Sequence, residues 1–244
     1  MAGKSDNRIR SFGFEPGRRL AGKYEVLSYL GSGWQGEVYR IREINTDIER
    51  AAKIFFPERN IKNRTSITYA RKLHKLRECP VLIQYHTQET ITVRRQQVTV
   101  LVSEYVEGEL LSAYLKRFPK GRLPLFHGIH LLHALAVGIE SIHHLGEYHG
   151  DLHSENIIVR RLGLSFDLKL LDLFHWGRAS KANRNEDICN LVRVFYDAIG
   201  GREAYSKHPR EIREICCGLK RSLILKRFPT ASDLRVHLET QAWS

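Results

Sequence analysis

Long apolar runs are missing from this sequence of 244 residues. No stretch approaches the roughly 18 consecutive apolar residues that a membrane-spanning helix needs. The opening residues MAGKSDNRIRS also contain no apolar segment of the kind found in a signal peptide. We therefore expect a soluble cytoplasmic protein that has no membrane span.

Cysteine is also scarce, and its spacing indicates neither a metal site nor a disulfide. The four cysteines form no CxxC pair, and two of them are adjacent in the sequence. Zinc knuckles and disulfide frameworks have other spacings, so we expect reduced thiols. The cysteines are Cys79, Cys189, Cys216 and Cys217.

Acidic residues are outnumbered, because 27 Asp and Glu face 39 Lys and Arg, which gives a net charge of +12. Such a surface attracts anions, among them nucleotides, nucleic acids, acidic proteins and lipid headgroups. A positive surface that only aids solubility is an equally good interpretation. The basic run RKLHKLR at residues 71–77 lacks interleaved aromatics, so it predicts a solvent-facing side of a helix, and a nucleic-acid partner is not expected.

The first hundred residues are predicted to be rich in strands. Residues 1–20 show no periodicity, which predicts a loose or partly docked N-terminal arm. The runs YEVLSYL, GEVYRIREI and RAAKIFF then predict three successive antiparallel strands. A helix is predicted over residues 64–77, and the runs VLIQYH, TITVR and QVTVLVSEY predict two or three further strands.

The part of the chain after Gly108 is predicted to be mainly helical. Apolar residues recur at three- or four-residue spacing from Leu125 to Ile142, which is the pattern of a helix buried on one face. Two short strands, IIVRR and DLKLLDL, follow. Further helices are predicted around residues 185–199, 209–221 and 231–240.

A glycine-rich run lies between the first two predicted strands. Gly31, Gly33 and Gly36 have the GxGxxGxV spacing that lets a hairpin approach a polyphosphate with its backbone N–H groups. The same spacing opens dinucleotide-binding units, but those need a helix after the glycines, and here a strand follows. Lys53, 22 residues after Gly31, lies inside the apolar strand AAKIFF, where a lysine needs an anionic partner.

Two further motifs supply oxygen ligands. HGDLHSENIIV contains Asp151 and Asn156, and LLDLF contains Asp172. Two carboxylates and one amide oxygen are hard ligands that suit Mg²⁺, with one carboxylate left to orient a hydroxyl. The order and spacing of the four motifs therefore favour phosphoryl transfer.

Over residues 24–240 the sequence resembles the protein kinase superfamily, in particular the bacterial-type, eukaryotic-like Ser/Thr protein kinase domain. The resemblance implies a two-lobed α+β fold, with a small antiparallel-sheet N-lobe at 21–106 and a helical C-lobe at 107–244. It implies ATP and Mg²⁺ as cofactors. Asp151 would then be the catalytic residue that accepts or orients the substrate hydroxyl, and Asn156 and Asp172 would hold the metal.

The resemblance also implies how the nucleotide is bound. Lys53 would contact the α- and β-phosphates, and backbone groups of Glu104 and Val106 in the hinge LVSEYVEG would bind adenine. Ser103 would stand at the gatekeeper position, and Asp187 in DICNLV would be buried under the catalytic loop. The implied nucleotide-binding set is Gly31, Ser32, Gly33, Gly36, Val38, Ala51, Lys53, Ser103, Glu104 and Val106.

The predicted helix departs from the family pattern. Residues 64–77 contain no glutamate that could pair with Lys53, and alignment puts Ala70 at the expected place. Lys53 would then pair with another carboxylate, for which Asp172 is a candidate.

The catalytic loop departs from the pattern as well. Gly150 replaces the arginine of many regulated protein kinases, so control by a phosphorylated activation loop is not expected. His153 replaces the lysine of Ser/Thr kinases. HGDLH is more similar to small-molecule kinases related to aminoglycoside and choline phosphotransferases.

The segment after Asp172 is short. DLF replaces DFG, and Asp187 follows 15 positions later with no APE motif between the two aspartates. In protein kinases this interval carries the platform for a peptide, so its shortness indicates an open acceptor site, a helper protein or a non-protein acceptor. We expect γ-phosphoryl transfer from ATP to a hydroxyl, with a protein Ser or Thr as the first choice. A small-molecule or lipid kinase and a nucleotide-binding pseudokinase that acts as a scaffold are the alternatives.

Overall fold

The computed structural model describes residues 8–162, 165–174 and 177–241. The chain divides into two compact units. The first comprises Met1–Arg77 and Ile83–Val106, and the second comprises Glu78–Leu82 and Glu107–Ser244. The sequence did not predict that residues 78–82 belong to the second unit. Residues 1–7 of the predicted arm lie outside the described residues.

A six-stranded antiparallel sheet forms most of the first unit. In chain order its strands are β1 (Arg19–Leu20), β2 (Tyr24–Gly33), β3 (Gly36–Glu43), β4 (Glu49–Phe55), β5 (Tyr85–Val93) and β6 (Gln96–Glu104). They lie side by side in the order β1-β2-β3-β4-β6-β5. The strands are rich in Val, Ile, Tyr and Thr, which pack well on a pleated surface. Gly33 pairs with Gly36, so the glycine-rich run forms the β2–β3 hairpin.

The register gives this sheet two chemically different faces. Val38, Lys53 and Leu101 are direct cross-strand neighbours on β3, β4 and β6, so they share one face. Ala51, two residues before Lys53 on β4, and Ser103, two residues after Leu101 on β6, lie on the same face. The opposite face is apolar and carries Tyr39, Ile41, Ala52, Ile54, Val100 and Val102.

The N-terminal segment covers the apolar face. Ile9, Phe12 and Phe14 are buried in the same cluster as the strand side chains. The ring of Phe12 stacks on that of Phe56, with 5.4 Å between the ring centres. Of the two predicted states of the arm, loose or partly docked, the described residues 8–20 show the docked one, because large apolar side chains pack on the sheet there.

The predicted helix of the first unit is present, but the predicted strand VLIQYH begins later than expected. Helix α1 (Arg64–Lys75) lies within the predicted range 64–77. The predicted strand VLIQYH is wrong over its first residues, because β5 begins only at Tyr85. Val81 and Leu82 instead run beside Leu170, whose N–H donates to the Val81 carbonyl at 2.7 Å.

The second unit combines a small antiparallel sheet with seven described helices. The strands are β7 (Glu109–Leu110), β8 (Ile157–Leu162) and β9 (Ser165–Leu170). The helices are α2 (Leu111–Leu115), α3 (Leu125–His144), α4 (Lys181–Ala198), α5 (Gly201–Tyr205), α6 (Arg210–Cys216), α7 (Arg221–Arg227) and α8 (Ala231–Thr240). The predicted helix 209–221 is broken, because Cys217 adopts a left-handed φ of 50° that ends α6.

Helix α3 forms the centre of the second unit. Its length and hydropathy alone would allow it to cross a membrane, and it is the one such helix in the described part of the chain. However, its fully buried side chains include Leu131, Leu135 and Ile139, at the spacing of one helix face, and it packs against α4 and α8. Arg235 of α8 also donates to Glu140 of α3 at 2.6 Å. These contacts are those of a core helix in a globular unit.

Candidate active site

The glycines of the β2–β3 hairpin differ in their surroundings. At Gly36 a Cβ atom would lie 2.0 Å from the carbonyl oxygen of Ile54, so only glycine fits between β3 and β4. At Gly31 and Gly33, no heavy atom of the described residues beyond the glycine and its two chain neighbours comes within 4 Å of the corresponding position. Ser32 lies between them on β2. These two glycines leave a stretch of backbone that a large anion can approach.

Lys53 projects from β4 into buried aromatic surroundings. It is 8% exposed, and its Nζ lies 5.0 Å from the ring centre of Tyr69 and 5.8 Å from that of Phe55. An ammonium within about 6 Å of an aromatic ring is attracted by the electrons of the ring face. The residue of α1 that faces Lys53 is thus Tyr69, one position before the Ala70 given by alignment.

A buried carboxylate fixes the hairpin on the opposite face of the sheet. Glu37 accepts the backbone N–H of Phe12 at 3.2 Å and a short hydrogen bond from the Tyr39 hydroxyl. The Tyr39 oxygen accepts the N–H of Phe14 at 3.2 Å. Burial and the bond to Glu37 raise the pKa of Tyr39, so its hydroxyl remains a donor. Sequence reasoning missed this set, for which the aromatic residues near the N-terminus were the available signal.

The predicted hinge residues lie at the end of β6. Ser103 is buried and pairs with Ala51. Glu104 donates its N–H to the Gln84 carbonyl at 2.8 Å, and its carboxylate accepts the Gln84 N–H at 3.1 Å. These bonds fix the backbone that leads to Val106, the last residue of the first unit.

In the second unit, a buried aspartate holds the HGD segment. Asp187 on α4 is fully buried and accepts the backbone N–H of His149 at 2.7 Å and of Gly150 at 2.8 Å. Nε2 of His143 donates to the same carboxylate at 3.0 Å. Three donors offset the cost of burying this carboxylate. Sequence reasoning missed His143, which lies 44 residues away from Asp187.

Gly150 has a conformation that favours glycine. Its φ is +86°, and a Cβ atom there would lie 2.9 Å from Cε2 of Tyr148. A left-handed φ and a close ring each make a side chain costly at this position. The glycine in HGD therefore has a local physical cause.

Asp151, the predicted catalytic residue, is held by the Asn156 side chain. Nδ2 of Asn156 donates to the backbone carbonyl of Asp151 at 2.8 Å and to its Oδ2 at 3.2 Å. Nε2 of His153 lies 2.9 Å from Nδ2 of Asn156 and 3.6 Å from Oδ1 of Asp151. The Asp151 side chain is 48% exposed. Its carboxylate is thus oriented and still accessible to a substrate.

Two backbone hydrogen bonds join the Asp172 segment to the catalytic loop. Leu171 donates its N–H to the Asn156 carbonyl at 2.8 Å, and Phe174 donates to the His149 carbonyl at 2.9 Å. Asp172 lies between them with a φ of +51°. Such a conformation is sparsely populated for residues other than glycine and is concentrated at functional sites. The second unit therefore brings the catalytic loop and both predicted metal ligands together.

The oxygen donors of this unit suit a hard divalent cation. Asp172 offers carboxylate oxygens, and Asn156 offers its amide oxygen, because its amide nitrogen is engaged by Asp151. Mg²⁺ prefers oxygen ligands of these two kinds. No group of three or more His, Cys, Asp or Glu side chains that could hold a metal occurs among the described residues. The metal-binding and nucleotide-binding roles of the named residues stay predictions.

The sequence and the fold are both similar to known kinases. The family model described as protein kinase domain matches residues 24–203. CBL-interacting protein kinase 12 of Oryza sativa subsp. japonica is 31% identical over 159 residues, which cover 64% of this chain and 27% of that protein. Serine/threonine-protein kinase pkn2 of Myxococcus xanthus is 29% identical over 155 residues, or 63% of this chain and 18% of that protein.

A solved structure shows the same fold. The crystal structure of the PknI kinase domain of Mycobacterium tuberculosis matches with a TM-score of 0.67 at 16% sequence identity, over 93% of this chain and 98% of that one. The predicted α+β fold, with an antiparallel-sheet N-lobe and a helical C-lobe, is thereby confirmed. Since the family match covers well over half of the sequence, the chain belongs to the protein kinase family. It spans less than a third of the length of the two curated relatives.

Proposed function

We propose that this chain is an ATP- and Mg²⁺-dependent protein kinase that transfers the γ-phosphoryl group to a Ser or Thr hydroxyl. The observation that carries the proposal is the accessible Asp151 carboxylate, which Asn156 orients on a loop anchored by buried Asp187. Membership of the protein kinase family and similarity to a serine/threonine-protein kinase support a protein acceptor.

The residues of the second unit act on the acceptor and the metal. Asp151 orients the acceptor hydroxyl and takes its proton as the new oxygen–phosphorus bond forms and the bond between the γ-phosphorus and the β–γ bridging oxygen breaks, which releases ADP. Asn156 holds the Asp151 backbone through its amide nitrogen and offers its amide oxygen, together with Asp172, to Mg²⁺. When bound, Mg²⁺ neutralises charge on the phosphate oxygens.

The residues of the first unit bind the nucleotide. Backbone N–H groups of Gly31 and Gly33 and the Lys53 ammonium hold the phosphates, and backbone groups of Glu104 and Val106 bind adenine. Phosphoryl transfer asks a protein mainly for positioning and for charge stabilisation, which these groups supply. The net charge of +12 also favours an anionic substrate.

The test is transfer of label from γ-labelled ATP in the presence of Mg²⁺, with autophosphorylation and a basic protein as acceptors. We expect Asp151→Asn to lose at least about 100-fold in rate, as for loss of a general base, and to keep nucleotide binding. Asp172→Asn should lose transfer and weaken Mg²⁺-dependent nucleotide binding. Asp167→Asn is the matched control, because that exposed carboxylate pairs with Arg160 in the β8–β9 hairpin, and it should leave the rate unchanged.

The other outcomes separate the alternatives. Bound ATP without any Mg²⁺-dependent transfer would favour a pseudokinase. Label that enters only the small-molecule fraction of a lysate would favour a small-molecule kinase, for which His153 beside Asp151 is the supporting observation.

As part of the same proposal we place the activity in the cytoplasm, and the free state of all four cysteines supports this placement.

A further inference from the structure

We propose that the ring of Tyr69 positions Lys53, in the place where the family pattern has a carboxylate. The inference rests on the proposed function, because Lys53 is assigned there to the nucleotide phosphates. It goes beyond that function by naming a positioning residue that belongs to none of the sequence motifs.

The contact between the two side chains is buried and has cation–π geometry. Nζ of Lys53 lies 5.0 Å from the ring centre of Tyr69, and the ring of Phe55 lies on the same ammonium at 5.8 Å. Tyr69 is 6% exposed. Because water competes little at a buried site, the attraction between an ammonium and a ring is stronger there than at a surface. The two rings therefore restrict where the flexible stem of Lys53 can place its charge.

The composition of α1 explains why a ring takes this place. The helix sequence RTSITYARKLHK contains basic and neutral residues and no acidic one. Its buried side chains include Tyr69, Lys72 and Leu73, at the spacing of one helix face. The buried face of α1 thus offers a ring, a second lysine and apolar surface.

A ring and a carboxylate act differently on a lysine. A carboxylate forms a pair of zero net charge with an ammonium, whereas a ring attracts the ammonium and adds no opposite formal charge. The contribution of α1 to Lys53 is therefore one of position and not of neutralisation. Such a contact suits a lysine whose charge is used on a polyphosphate.

The kinetic test compares substitutions that keep the ring with substitutions that remove it. Tyr69→Phe keeps the ring, and Tyr69→Leu and Tyr69→Met remove it with side chains of different shape. Arg71→Leu, at an exposed position of the same helix, is the matched control. We expect Tyr69→Phe and the control to stay within about twofold of wild type, and the ring-free variants to lose about tenfold in kcat/KM, mainly through kcat.

A second readout needs no turnover. In protein labelled with ¹³C-lysine, the ring should shift the Lys53 Hε signals upfield, with the signals assigned by their loss in Lys53→Arg. Tyr69→Phe should keep this shift, and the ring-free variants should move the signals towards those of exposed lysines. A wild-type protein without the upfield shift would overturn the proposal, whether or not the ring-free variants fold.

Two further results would also overturn it. One is a folded ring-free variant with wild-type kcat/KM, and the other is a Tyr69→Phe variant that loses as much as Tyr69→Leu. If the wild-type protein transfers no phosphate while the shifts follow the expected pattern, the proposed function fails and the Tyr69 contact stands.

Discussion

Replacing Glu37 by alanine tests the buried hydrogen bonds between the N-terminal segment and the glycine-rich hairpin. Glu37 is 4% exposed, and its carboxylate accepts from two donors, the Phe12 N–H and the Tyr39 hydroxyl. In Glu37→Ala both donors lose their acceptor inside the core. Each unsatisfied buried donor costs about 1–3 kcal/mol, so the free energy of unfolding should fall by about 2–6 kcal/mol.

Two further variants test whether the loss depends on the hydrogen-bond acceptor at position 37 and on its burial. Glu37→Gln keeps one acceptor oxygen, and its loss should be about half as large, roughly 1–3 kcal/mol. Glu49→Ala is the matched control on the neighbouring strand, because its carboxylate pairs with Arg40 at a partly exposed position. Loss of such a pair should cost about 0–1 kcal/mol.

Urea unfolding followed by circular dichroism measures these losses, and amide hydrogen exchange locates them. The Phe12 and Phe14 amides should be protected in wild type and exchange faster in Glu37→Ala. The reasoning is wrong if Glu37→Ala destabilises the protein no more than Glu49→Ala, or if it leaves the Phe12 amide as protected as before.

Three other outcomes follow from the same structure. Gly36→Ala should lower Tm by several degrees, because its Cβ would lie 2.0 Å from a carbonyl oxygen, whereas Gly31→Ala should leave Tm unchanged and weaken only nucleotide binding. Burial raises the pKa of Cys216 to about 12, so this thiol should not react with a disulfide reagent at pH 8 unless urea unfolds the protein. The Arg235 guanidinium lowers the pKa of Glu140 from 4.5, so the pair stabilises the fold above that pH and the contribution is lost as pH falls through the lowered pKa. Between pH 7 and pH 3, wild type should therefore lose about 1 kcal/mol more stability than Glu140→Gln in urea unfolding.

The motif-bearing segments could be predicted from the sequence because their geometry is local. The glycines, the strand of Lys53 and the HGD loop lie in short runs whose spacing constrains the backbone directly. A strand after the glycines was enough to favour a hairpin, and the structure has the β2–β3 hairpin there. Long-range partners were harder to predict, because nothing near Asp187 in the sequence points to His143.

The errors have physical causes too. Alignment places Ala70 at the position of the family glutamate, whereas the α1 ring that lies on Lys53 belongs to Tyr69; a helix turns about 100° per residue, so adjacent positions face different directions. The run VLIQYH is apolar enough for a strand, but which neighbour it pairs with depends on contacts made far along the chain. The docked residues Ile9, Phe12 and Phe14 belong to no helix or strand, so no periodic pattern marked them as part of the core.

The packing of the N-terminal segment on the apolar face of the sheet determines where the boundary of this domain should be set. The family match starts at residue 24, yet the side chains of Ile9, Phe12 and Phe14 are part of the interior of the first unit. A fragment cut at the family boundary would expose a broad apolar surface to solvent, and surfaces of that kind drive self-association. If such a truncated protein lost activity, the cause would be damaged folding, and the loss would not be evidence that the N-terminal segment regulates the protein. In this member of the protein kinase family, the part of the chain that folds together is longer than the part that matches the family model.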